Sequence, residues 1–279
     1  MFKKLLHYKL FKKEIVILFL FYISLIISFI FGENSTGAAY LDYVNQKRIS
    51  EQFSINFFQT LNQYDNFSTR HSPILIIILS FFEKLDFQDY FIRLIHLHFC
   101  LLLPFFFYKC LKVKYKFIKK EIFFTIVFLI FLSPTFRSLT IWPDSRIMGL
   151  LFFTLGIFFF LKFLDEKKIS YAILNTSCIV CSAYFSPNFS VFSIFFILKY
   201  ISFFGFKSKK IFLILLINLI LAVPCFYYIF IMGVNFLSNP GAAGISVNEK
   251  IIFNNIFNDI LITFSIFFFY LLLFLILSV

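Results

Sequence analysis

The stretch that decides the fold is Pro73-Ile-Leu-Ile-Ile-Ile-Leu-Ser-Phe-Phe-Glu-Lys-Leu85. Its apolar core, Ile74–Phe82, would be roughly 14 Å long as a helix at 1.5 Å per residue. A bilayer core needs about 30 Å, and apolar runs this short are more often interfacial or re-entrant than spanning. Charge gives an independent test. If this segment spans, the cluster Lys109, Lys112, Lys114, Lys116, Lys119 and Lys120 falls outside; if it lies on the outer surface, that cluster falls inside.

The second option predicts eight spans, at about 15–31, 91–108, 122–134, 147–164, 170–185, 189–204, 211–231 and 259–279. Eighteen of the 26 basic residues then lie on the inner side, as the positive-inside tendency requires. The expected fold is an all-α polytopic membrane bundle of about eight spans, residues 1–279 forming a single transmembrane domain. Its outer first loop carries short surface helices.

Composition agrees with that class. The chain is 61% hydrophobic and only 14% charged, against about 45–50% and about 25% in soluble domains. The net charge of +12 sits in short clusters between apolar runs, so it reads as topology and excludes nucleic acid as the partner. Lysines 3, 4, 9, 12 and 13 precede the first apolar run, with no small-residue cleavage site after it, which predicts an uncleaved anchor with a cytoplasmic N-terminus. The five cysteines lie in or beside apolar segments and read as small packing residues, including the Cys178-x-x-Cys181 pair. Pro240-Gly241-Ala-Ala-Gly244 reads as an outer loop.

Between the first two apolar segments lies a polar stretch, Gly32 to Pro73. It holds Tyr40-Leu41-Asp42-Tyr43 and Arg70-His71-Ser72-Pro73. Charged groups beside a bilayer carry desolvation costs, so Asp42, Arg70 and His71 are functional candidates. All five Arg of the chain fall on the outer side of the drawn topology, whereas 18 of 21 Lys fall inside. Lys suffices as a topological charge; a planar fork that grips phosphate requires Arg. The same side holds Ser133-Pro134-Thr135-Phe136-Arg137 and Trp142-Pro143-Asp144, followed by Arg146. A lone Trp in such a loop is expected to anchor at the membrane interface, with stacking on a sugar as the alternative.

The order of these elements resembles the GT-C superfamily of membrane glycosyltransferases, which includes protein O-mannosyltransferases, lipid A aminoarabinose transferases and lipopolysaccharide sugar transferases. The likeness covers about residues 10–205. That family has an acidic residue in the first outer loop, a His-Pro-Pro-like start to a surface helix, an Arg at the next span, Ser-Pro before an outer loop and a Thr-Lys-Pro-like break in a later hairpin. Here those positions read Asp42, His71-Ser72-Pro73, Arg93, Ser133-Pro134 and Phe185-Ser186-Pro187. The chain departs from the pattern at Ser72, at Ser186 and in lacking an Asp-Glu pair, and it ends inside an apolar run at Val279.

The resemblance implies an inverting transfer of sugar from a polyprenyl-phosphate donor to a cell-envelope acceptor (lipid, glycan or protein). It places the protein in a bacterial inner membrane with its site on the periplasmic face. Asp42 would be the general base, and Arg70, His71, Arg137 or Arg146 would stabilise the leaving phosphate. The sequence does not choose among those four. One loop Asp without an acidic neighbour predicts no metal and no other cofactor. Two other functions compete: a transporter or flippase, which would place charge near the midplane along broken helices, and a membrane subunit without catalytic activity.

Overall fold

The computed structural model describes residues 2–35, 38–67, 69, 71–118 and 120–228. Arg70, the loop at 240–244 and the span expected at 259–279 lie outside them. The described residues form twelve α-helices and two 3₁₀ helices, without a strand among them. In order, the α-helices are α1 (Phe2–Ile30), α2 (Ala38–Ile55), α3 (Phe57–Asn62), α4 (Pro73–Lys84), α5 (Asp89–Cys100), α6 (Leu102–Lys114), α7 (Lys120–Phe131), α8 (Pro134–Ile141), α9 (Ser145–Glu166), α10 (Ile169–Phe185), α11 (Phe192–Phe204) and α12 (Lys209–Phe226).

The polar stretch contains a real helix. In α2, Ala39, Tyr43, Gln46, Ile49, Ser50 and Phe53 are buried, a helical-period stripe on an otherwise polar segment. Helix α4 begins with Pro73 at its first position, where the missing N–H costs nothing. It lays Leu75, Ile76, Leu79 and Ser80 inward and packs along α2. The deciding stretch is therefore a separate twelve-residue helix.

Among the described residues, four helical segments are long and apolar enough to cross a bilayer: Asp89–Lys114, Ser145–Glu166, Pro187–Phe204 and Lys209–Phe226. Two shorter apolar helices, Val16–Ile30 and Ile169–Phe185, coincide with expected spans. The span expected at 122–134 corresponds to α7, which ends at Phe131, three residues short of the expected bound. The chain bends by 63° between Ile122–Phe131 and Pro134–Ile141, so α7 and α8 are distinct. Pro134 has no N–H to continue the α7 ladder and holds Ser133 in an extended conformation. The Ser133 hydroxyl then accepts from the Phe136 N–H and starts α8.

Helices α9 and α10 meet along small residues. The Ser182 hydroxyl donates to the Gly149 carbonyl at 2.7 Å, and the Asn175 amide donates to the Gly156 carbonyl at 2.8 Å. A Cβ at Gly149 would lie 2.9 Å from Ser186, and one at Gly156 would lie 2.9 Å from Ile179. Close backbone approach with polar cross-links is how helices associate where lipid removes the hydrophobic drive. The Tyr200 hydroxyl completes the seam by donating to Asn175.

A second polar cross-link sits at Pro224, inside α12. The Tyr184 hydroxyl accepts from the Cys225 N–H at 3.2 Å and donates to the Leu221 carbonyl at 2.6 Å, bridging the loosened helix. Tyr184→Phe removes both bonds at once. It is expected to lower stability by about 0.5–1.5 kcal/mol, read as a lower midpoint in detergent-induced unfolding; an unchanged midpoint would refute the bridge. All five cysteines are free thiols.

Candidate functional site

The site is built on the end of α1. Gly32 has φ +62°, a left-handed conformation that glycine adopts without a Cβ penalty. Its N–H donates to the Phe29 carbonyl, and the Glu33 N–H donates to the Ser28 carbonyl, a Schellman closure. Glu33 is thereby folded back beside the last turn of α1. There it meets Arg137 from α8, whose Nε lies 2.9 Å and Nη2 2.8 Å from Oε2. The remaining donors of Arg137 go to the Ser24 and Ser28 hydroxyls. The bond from Arg137 holds the Glu33 carboxyl down to about 2, outweighing the opposite push of burial.

The Glu33 carbonyl accepts from the Trp142 indole N–H at 3.0 Å. Trp142 is only 8% exposed. Tyr40 and Tyr43 of α2 meet its ring at centroid distances of 4.8 and 5.8 Å. The Arg93 guanidinium of α5 lies 3.6 Å over it and also faces Phe29. The lone Trp is thus neither an interface anchor nor open to a sugar: three aromatic or planar partners enclose it, and it joins α1, α2, α5 and α8. Arg93 Nε reaches the Ile141 carbonyl, while its Nη2 is buried without a hydrogen-bond partner. Tyr43 donates to Asp89, which also pairs with Lys47 at 3.1 Å. Burial first, and the bond to Asp89 second, push the Tyr43 phenol upward.

Tyr43 faces inward onto Trp142, and its chain neighbour Asp42 reaches the start of α9. Asp42 Oδ2 accepts from Arg146 Nη2 at 2.7 Å, and Oδ1 lies 3.8 Å from His71 Nε2. His71 Nδ1 lies 3.3 Å from the Ser145 hydroxyl. Its carbonyl accepts from the Tyr64 hydroxyl at 2.7 Å, which anchors the backbone ahead of α4. Asp144 caps α9 by accepting from the Arg146 N–H at 2.7 Å. The same carboxylate receives Arg146 Nε at 3.0 Å and Nη2 at 2.7 Å. Asp144 has no exposed side-chain surface, whereas Asp42 is 29% and Arg146 50% exposed. Solvent or ligand can therefore reach Asp42 and Arg146 but not Asp144.

Three of the residues singled out from the sequence, Asp42, His71 and Arg146, meet here from segments up to 104 residues apart. Arg137 does not join them, because Glu33 and the α1 hydroxyls occupy its guanidinium. Arg93 also stands apart, stacked on Trp142. Two residues of the assembly, Asp144 and Glu33, were given no role from the sequence. Asp144 carried an N-cap signal, an acidic residue just before a long apolar run. Glu33 carried none, since its partner is far away in sequence. His96 and His98, two residues apart, go separate ways: His96 Nε2 lies 3.0 Å from the Leu139 carbonyl and His98 Nε2 2.9 Å from the Tyr22 hydroxyl.

Among the described residues, no group of three or more His, Cys, Asp or Glu side chains is placed to hold a metal ion. No family model matches the chain, and no curated protein or solved structure is significantly similar to it.

Proposed function

We propose that this protein is an integral membrane glycosyltransferase that moves a sugar from a polyprenyl-phosphate donor to a cell-envelope acceptor. The observation that carries this reading is the meeting of an accessible carboxylate, Asp42, with an accessible guanidinium, Arg146, beside His71. Arg146 opens α9, a helix long and apolar enough to cross a bilayer, which suits a donor with a long prenyl chain.

The chemistry follows from the groups available. The acceptor oxygen attacks the anomeric carbon while its proton passes to the Asp42 carboxylate. The bond from that carbon to the phosphate oxygen breaks, and its electron pair stays on the phosphate. Arg146 faces the charge that develops there, as a preorganised cation in a partly water-excluded site. A single displacement of this kind inverts the anomeric configuration. The lysine distribution favours a cytoplasmic N-terminus and a site on the outer, periplasmic face of a bacterial inner membrane.

A transporter or flippase is the competing reading. Against it, the ion pairs formed by Asp42, Glu33 and Arg146 gather where α1 ends and α9 begins. The buried polar groups farther along α9 and α10, such as Asn175 and Ser182, are hydrogen-bonded within the seam. Proteoliposomes loaded with a radiolabelled glycosyl polyprenyl phosphate and envelope acceptors separate the two. Protein-dependent release of free polyprenyl phosphate is expected. Movement of intact donor across the bilayer without cleavage would establish the transporter instead.

A further inference from the structure

Arg146 is shared by two carboxylates that are held very differently. Asp144 is wholly enclosed and binds Arg146 through its backbone N–H, Nε and Nη2. Asp42 is partly open and binds through Nη2 alone. The remaining kind of donor, Nη1, makes no hydrogen bond among the described residues. Asp144 thus fixes where the guanidinium points, and Asp42 occupies one side of the fork that remains.

We propose that Asp144 is a positioning residue that holds Arg146 as an anion receiver, and that Asp42 occupies this receiver until a phosphate displaces it. The proposal rests on the transferase reading for the identity of the ligand as a lipid phosphate, but not for the exchange itself. A phosphate can bridge Nη1 and Nη2 with two oxygens, the bidentate geometry that a guanidinium offers. A single carboxylate oxygen on Nη2 is the weaker competitor. Asp42 is the one that yields, since Asp144 is enclosed and anchors the α9 cap.

The exchange solves a problem in the resting site. A carboxylate bonded to a guanidinium has its acceptor lone pair engaged and is a poor base. Once the phosphate takes Nη2, Asp42 is left with His71 beside its other oxygen and turns to the incoming hydroxyl. The donor thereby releases the base that acts upon it, and no bond is made or broken in the step except hydrogen bonds. In the absence of phosphate, Asp42 stays masked.

The exchange makes a sign prediction that a passive base does not. Because Asp42 competes with phosphate, removing its charge must tighten phosphate binding. Polyprenyl phosphate binding to the full-length protein in nanodiscs is measured by titration, with inorganic phosphate as a parallel arm. Asp42→Asn is expected to bind polyprenyl phosphate about three- to tenfold more tightly, a modest change because the pair is partly exposed. Glu51→Gln makes the same charge change farther along α2, away from Arg146, and is expected to alter affinity less than about twofold. Arg146→Gln should abolish binding, and adding Asp42→Asn to it should restore none.

Unchanged or weaker binding in Asp42→Asn overturns the proposal, as does equal tightening in Glu51→Gln. Arg146→Gln leaves Asp144 buried and unpaired; should that variant not fold, the comparison of Asp42→Asn with Glu51→Gln still decides. Tightening seen only with inorganic phosphate upholds the exchange and assigns the receiver to a free anion. A protein that shows the full sign pattern yet transfers no sugar likewise retains the exchange and loses the transferase reading.

Discussion

Asp42→Asn is expected to lower sugar transfer by about 10²–10⁴-fold, the usual share of general-base catalysis. Asn keeps the shape of the side chain and one carbonyl acceptor but cannot take the proton of the attacking hydroxyl. The effect should fall on kcat. KM for the lipid donor should fall, because the phosphate no longer competes with a carboxylate for Arg146. Loss of kcat with an improved KM separates a base from a residue that merely holds the fold, whose loss would reduce the amount of active protein. Circular dichroism and the unfolding midpoint should be unchanged within about 1 kcal/mol, the scale of a partly exposed ion pair. Full activity in Asp42→Asn together with loss of activity in Glu51→Gln would mean that another carboxylate on α2 is the base.

Much of this architecture could be read from residue order. Seven of the eight expected spans fall on an apolar helix or helix pair among the described residues, because lipid solvation leaves a strong, local trace in composition. The twelve-residue helix at Pro73–Lys84 was legible for the same reason: its apolar run is too short to span. The break at Ser133-Pro134 was visible as a Pro and coincides with the end of the span expected at 122–134, but the size of the bend was not legible. The sequence shows that an N–H is missing there, while the 63° turn is set by the Ser133 cap and by packing of Phe136 against Phe131.

The site was half legible for a related reason. Asp42 and His71 stood out as polar groups near apolar segments, and Arg146 as one of few arginines. Which arginine meets Asp42 is a tertiary matter. Arg137 and Arg146 look alike in the sequence, both following a Pro in a short polar loop. They differ in what the fold brings beside them. The Gly32 turn delivers Glu33 to Arg137, and the first turns of α2 deliver Asp42 to Arg146. Trp142 illustrates the same limit. Its position in a loop suggests an interface anchor, yet Tyr40, Tyr43 and Arg93 converge on it from two other helices.

The Glu33–Arg137 pair should have the second-largest effect, on stability instead of turnover. Glu33 is lowered from 4.5 to about 2 in the fold, chiefly by its hydrogen bonds from Arg137. A carboxyl lowered on folding contributes stability that is fully present above about pH 5 and is lost as pH falls through about 2. Each pH unit of displacement corresponds to about 1.4 kcal/mol, and partial exposure of the pair trims the total to about 2 kcal/mol. Glu33→Gln is therefore expected to unfold more easily at pH 7 by about that amount, with the gap to the parent protein closing between about pH 5 and pH 2. Other carboxyls titrate in the same window, so the difference between the two unfolding curves is the informative quantity. Parallel curves over that range would show that the pair contributes nothing. Arg137→Met should cost more, about 3 kcal/mol, because it leaves the Glu33 charge in a half-buried niche with only the Ser28 and Ser35 hydroxyls beside it. In both variants Asp42, Asp144 and Arg146 keep their contacts, so kcat of the folded fraction should change little. A collapse of kcat in Glu33→Gln at full stability would instead place Arg137 in the reaction.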